Sequence, residues 1–466
     1  MKGFKVDYIK EPKLLFNSGG TSLNPCIGLT KYGPRFSGSK NNDFREFKVG
    51  IIGSSKSIAL TKELFETLQY KILPLGEIKP WKIPFPGLNS NSKLKFRFVF
   101  NPEWESIIEP TDLDKLQAAN SSSEAALNLI KRKLKLIYEK ETPPDIILIS
   151  FPQEFYTICE CSETDKPLIK VGIDDFRNRI KLLAMQQKIP SQIVRPETLL
   201  LDGTQERCIV AWNLVVGMLY KCQKGHPWKL THLEENTCYV GISFFNEKGK
   251  ETRRASLAQI FLDTGESFVL RGDSFNWTNM KHPKSPHLSK DDAYNLMNYV
   301  LEHYRSIRRQ NPNRVVVHKS SNFWNDELEG FREATKNVPQ KDFITILESS
   351  LKLFTQGRYP ILRGTLLSLE DDTSGFLFST GFVPSLNTYP GFSIPRALEI
   401  RPFNLDTSLV QVCKEILSFT KLDWNNTFVY SRMPVTISVS RKVGQVMSET
   451  EAQKFSELDS HYYFYM

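Results

Sequence analysis

The chain has 466 residues, 40% of them hydrophobic, which is enough for two or three domains with separate cores. Its opening, MKGFKVDYIKEPKLLF, has no apolar run of signal-peptide length, and no stretch approaches the ~20 apolar residues that span a bilayer, so a cytoplasmic protein without a membrane partner is expected. Lys and Arg number 61 against 52 Asp and Glu; the formal charge of +9 suits a nucleic-acid partner without requiring one.

Residues 1–45 are rich in Gly, Pro, Ser and Asn and read as an irregular arm leading into the first domain. Alternating elements follow: a buried strand over 47–52, a GSSKS turn, a helix over 58–70, a strand over 95–100, a helix opened by the capping box Ser121-x-x-Glu124, and a buried strand over 145–150. The GSSKS turn lacks the spacing of a phosphate-binding loop, and nucleotide binding is not assigned to it. A helix opened by Asp174 and Asp175 then sets Arg177 and Lys181 four apart on one face. A short strand over 189–194 carries Gln192, and a helix over 209–220 ends in YKCQKGHPW. Strand, helix and strand in this order predict an α/β domain over 46–230 built on a parallel, Rossmann-like sheet.

The pattern resets at 231–466. Strands at 238–245, 255–262 and 266–271 form an antiparallel meander, Ser289 caps a helix reaching Arg309, and a strand at 314–318, a helix and a strand at 343–347 follow. That is the order of a ribonuclease H-like fold. Its first strand, CYVGIS, leads to the polar tip Ser243, where a nuclease of this kind carries a metal-binding carboxylate. The seven cysteines are scattered, with only Cys159 and Cys161 close together, and read as reduced thiols without a zinc site.

Several stretches together resemble a short prokaryotic Argonaute consisting of MID and PIWI domains. They are PCIGLTKYGP (25–34), PSQIV (190–194), KGHPWKL (224–230), CYVGIS (238–243), RVVVHKSS (314–321), LFSTGFVPSLNTYPGFSIPRALEI (377–400) and FTKLDWNN…MPVTISVSRKVGQV (419–446). Slicing members of that family hold two divalent ions with carboxylates, or with a histidine in the last position. The resemblance puts Ser243, Ser320 and Arg441 at three of the ligand positions, which implies an inactive PIWI domain. A guide-directed endonuclease using displaced carboxylates, among Asp273, Asp326, Glu327 and Glu329, is the alternative; those acids read as solvated charges in loops or on an exposed helix face. A small-molecule enzyme in the first domain is a weaker rival.

The same resemblance implies a pocket for a guide's 5′ phosphate. Lys181 and Gln192 match by position, Arg177 stands where the family has a ring, and the second lysine is Lys221 or Lys224. A divalent cation, Mg2+, is implied at that phosphate, with the terminal carboxylate of Met466 as a candidate ligand. By resemblance the partners are a small guide RNA, target single-stranded DNA and an APAZ-domain effector protein. That effector is a NAD-depleting sirtuin-like or TIR protein or a nuclease, in a bacterial defence complex.

Overall fold

The structure is a computed structural model and describes residues 3–36, 44–77, 79, 81–119, 122–152, 154–155, 173–201, 203, 205–246, 253–262, 266–276, 286–354, 356–371, 373–391, 393–449 and 458–466. Ser121, Cys159 and Cys161 fall outside them. The described part of the N-terminal segment is ordered rather than irregular. It contains β1 (Phe4–Tyr8), β2 (Leu14–Leu15), β3 (Thr21–Ser22) and α1 (Pro25–Tyr32). The Pro and Asn that suggested an irregular arm are helix-start residues: the Asn24 side chain accepts from the Ile27 amide, and Pro25 occupies the first helical turn. Nor does the segment lead simply into the first domain, since β1 pairs antiparallel with a strand near residue 367 of the second.

The first domain contains β4 (Arg45–Gly53), α2 (Ser55–Thr67), β5 (Phe96–Ile107), α3 (Pro110–Gln117), α4 (Ser122–Tyr138), β6 (Ile146–Ser150), α5 (Ile173–Gln186), β7 (Ser191–Ile193), α6 (Pro196–Leu199) and α7 (Arg207–Gln223). The strands pair in parallel in the order β5-β4-β6-β7, as expected of a Rossmann-like sheet. Alternation along β6 sends Ile146 and Leu148 into the core shared with α2 and α7, and Ile147 and Ile149 into the core shared with α4 and α5. A strand covered on both faces has to be apolar throughout, and IILIS is. A three-stranded ribbon of β3, β2 and β8 (Lys229–Leu230) ties the N-terminal segment to the domain junction.

The second domain follows as β9 (Thr237–Asn246), β10 (Arg253–Leu262), β11 (Ser267–Asn276), α8 (Lys290–Arg308), β12 (Arg314–Lys319), α9 (Asn325–Ala334), β13 (Gln340–Glu348), β14 (Thr365–Leu369), β15 (Gly375–Leu377), β16 (Leu398–Leu405), α10 (Leu409–Phe419) and α11 (Val435–Ser448). Its strands form one nine-stranded sheet in the order β1-β14-β15-β16-β13-β12-β9-β10-β11. The β9-β10-β11 meander is antiparallel, and β12 runs parallel to both β9 and β13, which is the ribonuclease H-like arrangement. Ser289 caps α8 by accepting from the Asp292 amide.

The largest core crosses the domain boundary. It joins side chains of α7 and β4 to Phe419, Trp424, residues of α11 and the C-terminal residues Tyr462 to Met466. Both domains therefore share apolar surface with the C-terminal tail. Among the described residues no helix is long and apolar enough to cross a membrane.

Candidate nucleic-acid interface

Two of the polar sites in this fold hold the candidate residues. The first is a cationic pocket where α5, β7, α7 and the C-terminal tail meet. Helical spacing puts Arg177 and Lys181 one turn apart on α5. Lys221 lies in the last turn of α7, a helix whose second half is almost wholly buried, and its own side chain is 1% exposed. Such a lysine needs acceptors, and its Nζ donates to the Ser191 carbonyl at 2.9 Å and to Gln192 Oε1 at 2.7 Å. The Gln192 Nε2 donates to the Ile193 carbonyl at 3.0 Å, so the amide orientation is fixed from both ends. Burial, with the nearby charges of Lys181 and Arg177, pushes the Lys221 ammonium well below the ordinary lysine value.

Lys181 Nζ donates to the Tyr465 carbonyl at 3.1 Å, bringing the terminal peptide to the same place. The tail is held there by packing and one main-chain bond: Tyr462 to Met466 are buried, Val269 donates its amide to the Ser460 carbonyl at 2.7 Å, and the Tyr220 ring lies 6.3 Å from that of Tyr462 and 6.5 Å from that of Tyr463. Lys224 is not part of this group. It is the left-handed C-cap of α7, exposed, and close to Asp459. Burial works against the Asp459 carboxylate, but hydrogen bonds from His461 and nearby positive charge, Lys224 included, hold it below the usual range. Chemically, the pocket gathers three cations whose mutual repulsion a doubly charged anion would relieve.

The second place is the seam between the nine-stranded sheet and α11. Lys319, the last residue of β12, pairs with Ile242 in register, so the next positions, Ser320 and Ser243, fall together where β12 ends and β9 continues. A Cβ built on Gly241 would lie 1.8 Å from the Thr436 carbonyl, and one on Gly444 would lie 3.1 Å from Phe245 Cβ. Helix α11 therefore runs along β9. The five residues from Thr436 to Arg441 rise about 7 Å, as do the two from Gly241 to Ser243, which brings the Arg441 backbone level with Ser243.

One row below, His318 is fully buried with Nδ1 2.9 Å from Thr436 Oγ1. Burial first, and the Arg314 charge second, push its pKa down to about 3, so the ring is neutral. Lys319 points to the opposite face and meets Glu327 Oε2 at 2.5 Å, with its ammonium over the rings of Phe244 and Phe323. No group of three or more His, Cys, Asp or Glu side chains placed to hold a metal ion occurs among the described residues.

No family model and no curated protein matches the sequence. Solved structures do. The Argonaute of Clostridium butyricum, bound to a guide DNA and a 19-mer target DNA, superposes over 96% of this chain and 53% of that one at 13% identity and a TM-score of 0.65. Aa-Ago with externally bound siRNA covers 95% and 53% at 18% identity and 0.57, and A. aeolicus Argonaute covers 96% and 54% at 16% identity and 0.57. The fold is that of an Argonaute.

At these identities the likeness is one of fold, and the chain spans about half the length of the solved structures it matches. Within the Argonaute fold, the described chain brings Lys181, Gln192 and Lys221 together with Arg177 near by, and sets Lys224 apart. Met466 is buried at the end of the tail that Lys181 contacts.

The reading of the alternative acids needs correction at two positions. Glu327 is fully buried, not a solvated charge, and accepts from Lys319 and from the Leu288 amide at 3.1 Å. Asp273 is exposed but belongs to strand β11 rather than a loop. Asp326 and Glu329 are exposed on α9. Sequence reasoning missed the Lys319–Glu327 pair and the Tyr465 carbonyl. For the pair a signal existed: Lys319 closely follows the apolar run Val315–Val317, and Glu327 lies eight residues on, in the first turn of a helix.

Proposed function

We propose that this chain is the guide-binding subunit of a two-chain bacterial defence complex. It loads a 5′-phosphorylated small guide RNA in the first domain and pairs it with complementary invader single-stranded DNA along the second. Sequence is then read by base pairing while the protein holds backbone and shape. The observation that carries this reading is the convergence of Arg177, Lys181, Lys221 and Gln192, drawn from two helices and a strand, on one pocket at the C-terminal tail. A terminal phosphate, nearly doubly charged and rich in acceptor oxygens, is the anion such a set suits.

Mg2+ at that phosphate would be held by the Met466 carboxylate together with phosphate oxygens. The tail's position against Lys181 fits this role, and the guide would supply the remaining negative charge the ion needs. The second domain does not slice. Ser243 and Ser320 are neutral, Arg441 is cationic, and Glu327 is engaged by Lys319, which supports assigning activity to the partner. That partner is an APAZ-domain effector, either NAD-depleting (sirtuin-like or TIR) or a nuclease, switched on by the paired guide and target.

The test is to purify the chain together with its partner, extract bound nucleic acid, and end-label it with and without prior phosphatase treatment. Short RNA that labels only after phosphatase treatment, and that is absent when Lys181 and Gln192 are both changed to Ala, supports the reading. Absence of nucleic acid, or loading indifferent to those changes, overturns it. Metal-dependent cleavage of a matched target by the purified chain alone overturns the assignment of no slicing.

A further inference from the structure

The nine-stranded sheet is covered unevenly. Over β9, β10, β12 and β13 one face is sealed by α8 and α9, through Leu296, Val300, Phe331 and their neighbours. Among the described residues, no helix forms such a layer on the corresponding face at the other end. Pairing registers place Val6, Leu367, Phe376, Glu399 and Leu347 side by side in one row running from β1 to β13. Four of the five are apolar. Val6 is 66% exposed, its alternate neighbours Phe4 and Tyr8 are 60% and 47% exposed, and Leu367 and Phe376 are only half-buried. Alternation assigns the other set, Leu366, Leu377, Leu398 and Ile400, to the closed core with α10.

Sheets bury their apolar faces, and soluble monomers rarely leave a contiguous apolar surface of more than a few hundred Å² in water. The same end of the sheet also has an open margin, since β1 pairs only with β14 among the described residues. Roughly half of each matched Argonaute chain has no counterpart here, while nearly all of this chain is matched. Polypeptide somewhat shorter than this chain therefore accompanies the same fold in those proteins.

We infer that the face Phe4–Val6–Tyr8 with Leu367 and Phe376 is the docking surface for the second chain of the proposed complex. The contact is a β-structured layer that adds a strand to β1 and covers the apolar row. Its own surface is apolar, with one polar group to meet the Glu399–Arg401 ion pair at the row's inner end. This rests on the two-chain reading above and not on the guide pocket.

The test uses the full chain co-expressed with the APAZ-domain effector, recovered through a tag on the effector. Phe4→Ser with Val6→Asp lowers recovery of this chain at least about tenfold, while Leu73→Asp with Leu75→Asp, exposed apolar residues of the first domain, leaves recovery unchanged. Amide exchange over residues 4–8 slows in the complex. Unchanged recovery of the β1 variant together with unchanged exchange at β1 overturns the docking surface and leaves the two-chain reading standing. Failure of the unsubstituted chain to bind the effector overturns both. A homodimer that Val6→Asp abolishes makes the occupant a second copy and overturns the assignment as well. Retained guide loading by the β1 variant shows that it folds.

Discussion

Lys181 Nζ and the carbonyl oxygen of Tyr465 lie 3.1 Å apart, although 284 positions separate them in the chain. A helix of the first domain is thereby joined to the tail of the second at the point where Arg177, Gln192 and Lys221 converge. On the proposed reading, the Lys181 side chain would bond both the tail and an incoming phosphate and so couple the two domains to guide loading. Lys181→Ala is expected to weaken binding of a 5′-phosphorylated RNA by about 10- to 100-fold, the worth of one charge-assisted hydrogen bond. An otherwise identical 5′-hydroxyl RNA is expected to change little. Filter binding of the two RNAs side by side checks this.

Lys221 makes the same binding sensitive to pH. Burial, then Lys181 and Arg177, lower its pKa, and a phosphate bound as proposed would raise it again. Affinity is therefore highest below the depressed value and falls as pH rises from there toward the ordinary lysine range, with net proton uptake on binding. Calorimetric titrations of 5′-phosphorylated RNA in buffers of different ionisation heat measure that uptake, and Lys221→Met should remove it.

In the second domain, His318 predicts the acid limb of stability. Its folded pKa, about 3, is depressed from 6.5 by burial and by Arg314. The unfolded chain then binds the extra proton first, so stability is lost as pH falls from about 6.5 toward 3. The loss from this one group is on the order of 5 kcal/mol. Urea unfolding of His318→Leu at pH 7 and pH 5 should show a smaller difference than the unsubstituted chain.

The buried Lys319–Glu327 pair offers a sharper contrast. Changing Glu327 to Gln or Lys319 to Met alone strands a buried partner and is expected to cost about 3–5 kcal/mol. Replacing both with apolar residues of similar size should recover most of that loss. Urea midpoints of the three variants decide it, and a double variant as unstable as the singles would mean that the ammonium's contacts with Phe244 and Phe323 matter more than the pair.

What the sequence made legible followed from local rules. Apolar runs such as IILIS, the Ser289 cap and the spacing of Arg177 and Lys181 each state an element or a face, and the parallel and mixed sheets follow from their order. Strand β1 was missed because FKVDY has outward apolar residues, and its place in the sheet is set by hydrogen bonds to β14, more than 350 residues away. Glu327 was misread for a related reason. An acid in the first turn of a helix normally faces water, and only the fold brings Lys319 beneath it. Lys221 and Lys224 could not be separated by spacing; the left-handed turn at Lys224 ends α7 and sends that side chain away from Gln192.

The contact between Gly241 and the Thr436 carbonyl works as a gauge block between sheet and helix. At that point β9 and α11 touch through main chain, so the gap between them is a fixed dimension of the fold and does not depend on side-chain bulk. The positions of Ser243, Ser320 and Arg441 lie along a gap they do not set. Their chemistry can consequently be exchanged while the seam keeps its width: charge can be gained or shed there without rebuilding the packing of helix on sheet.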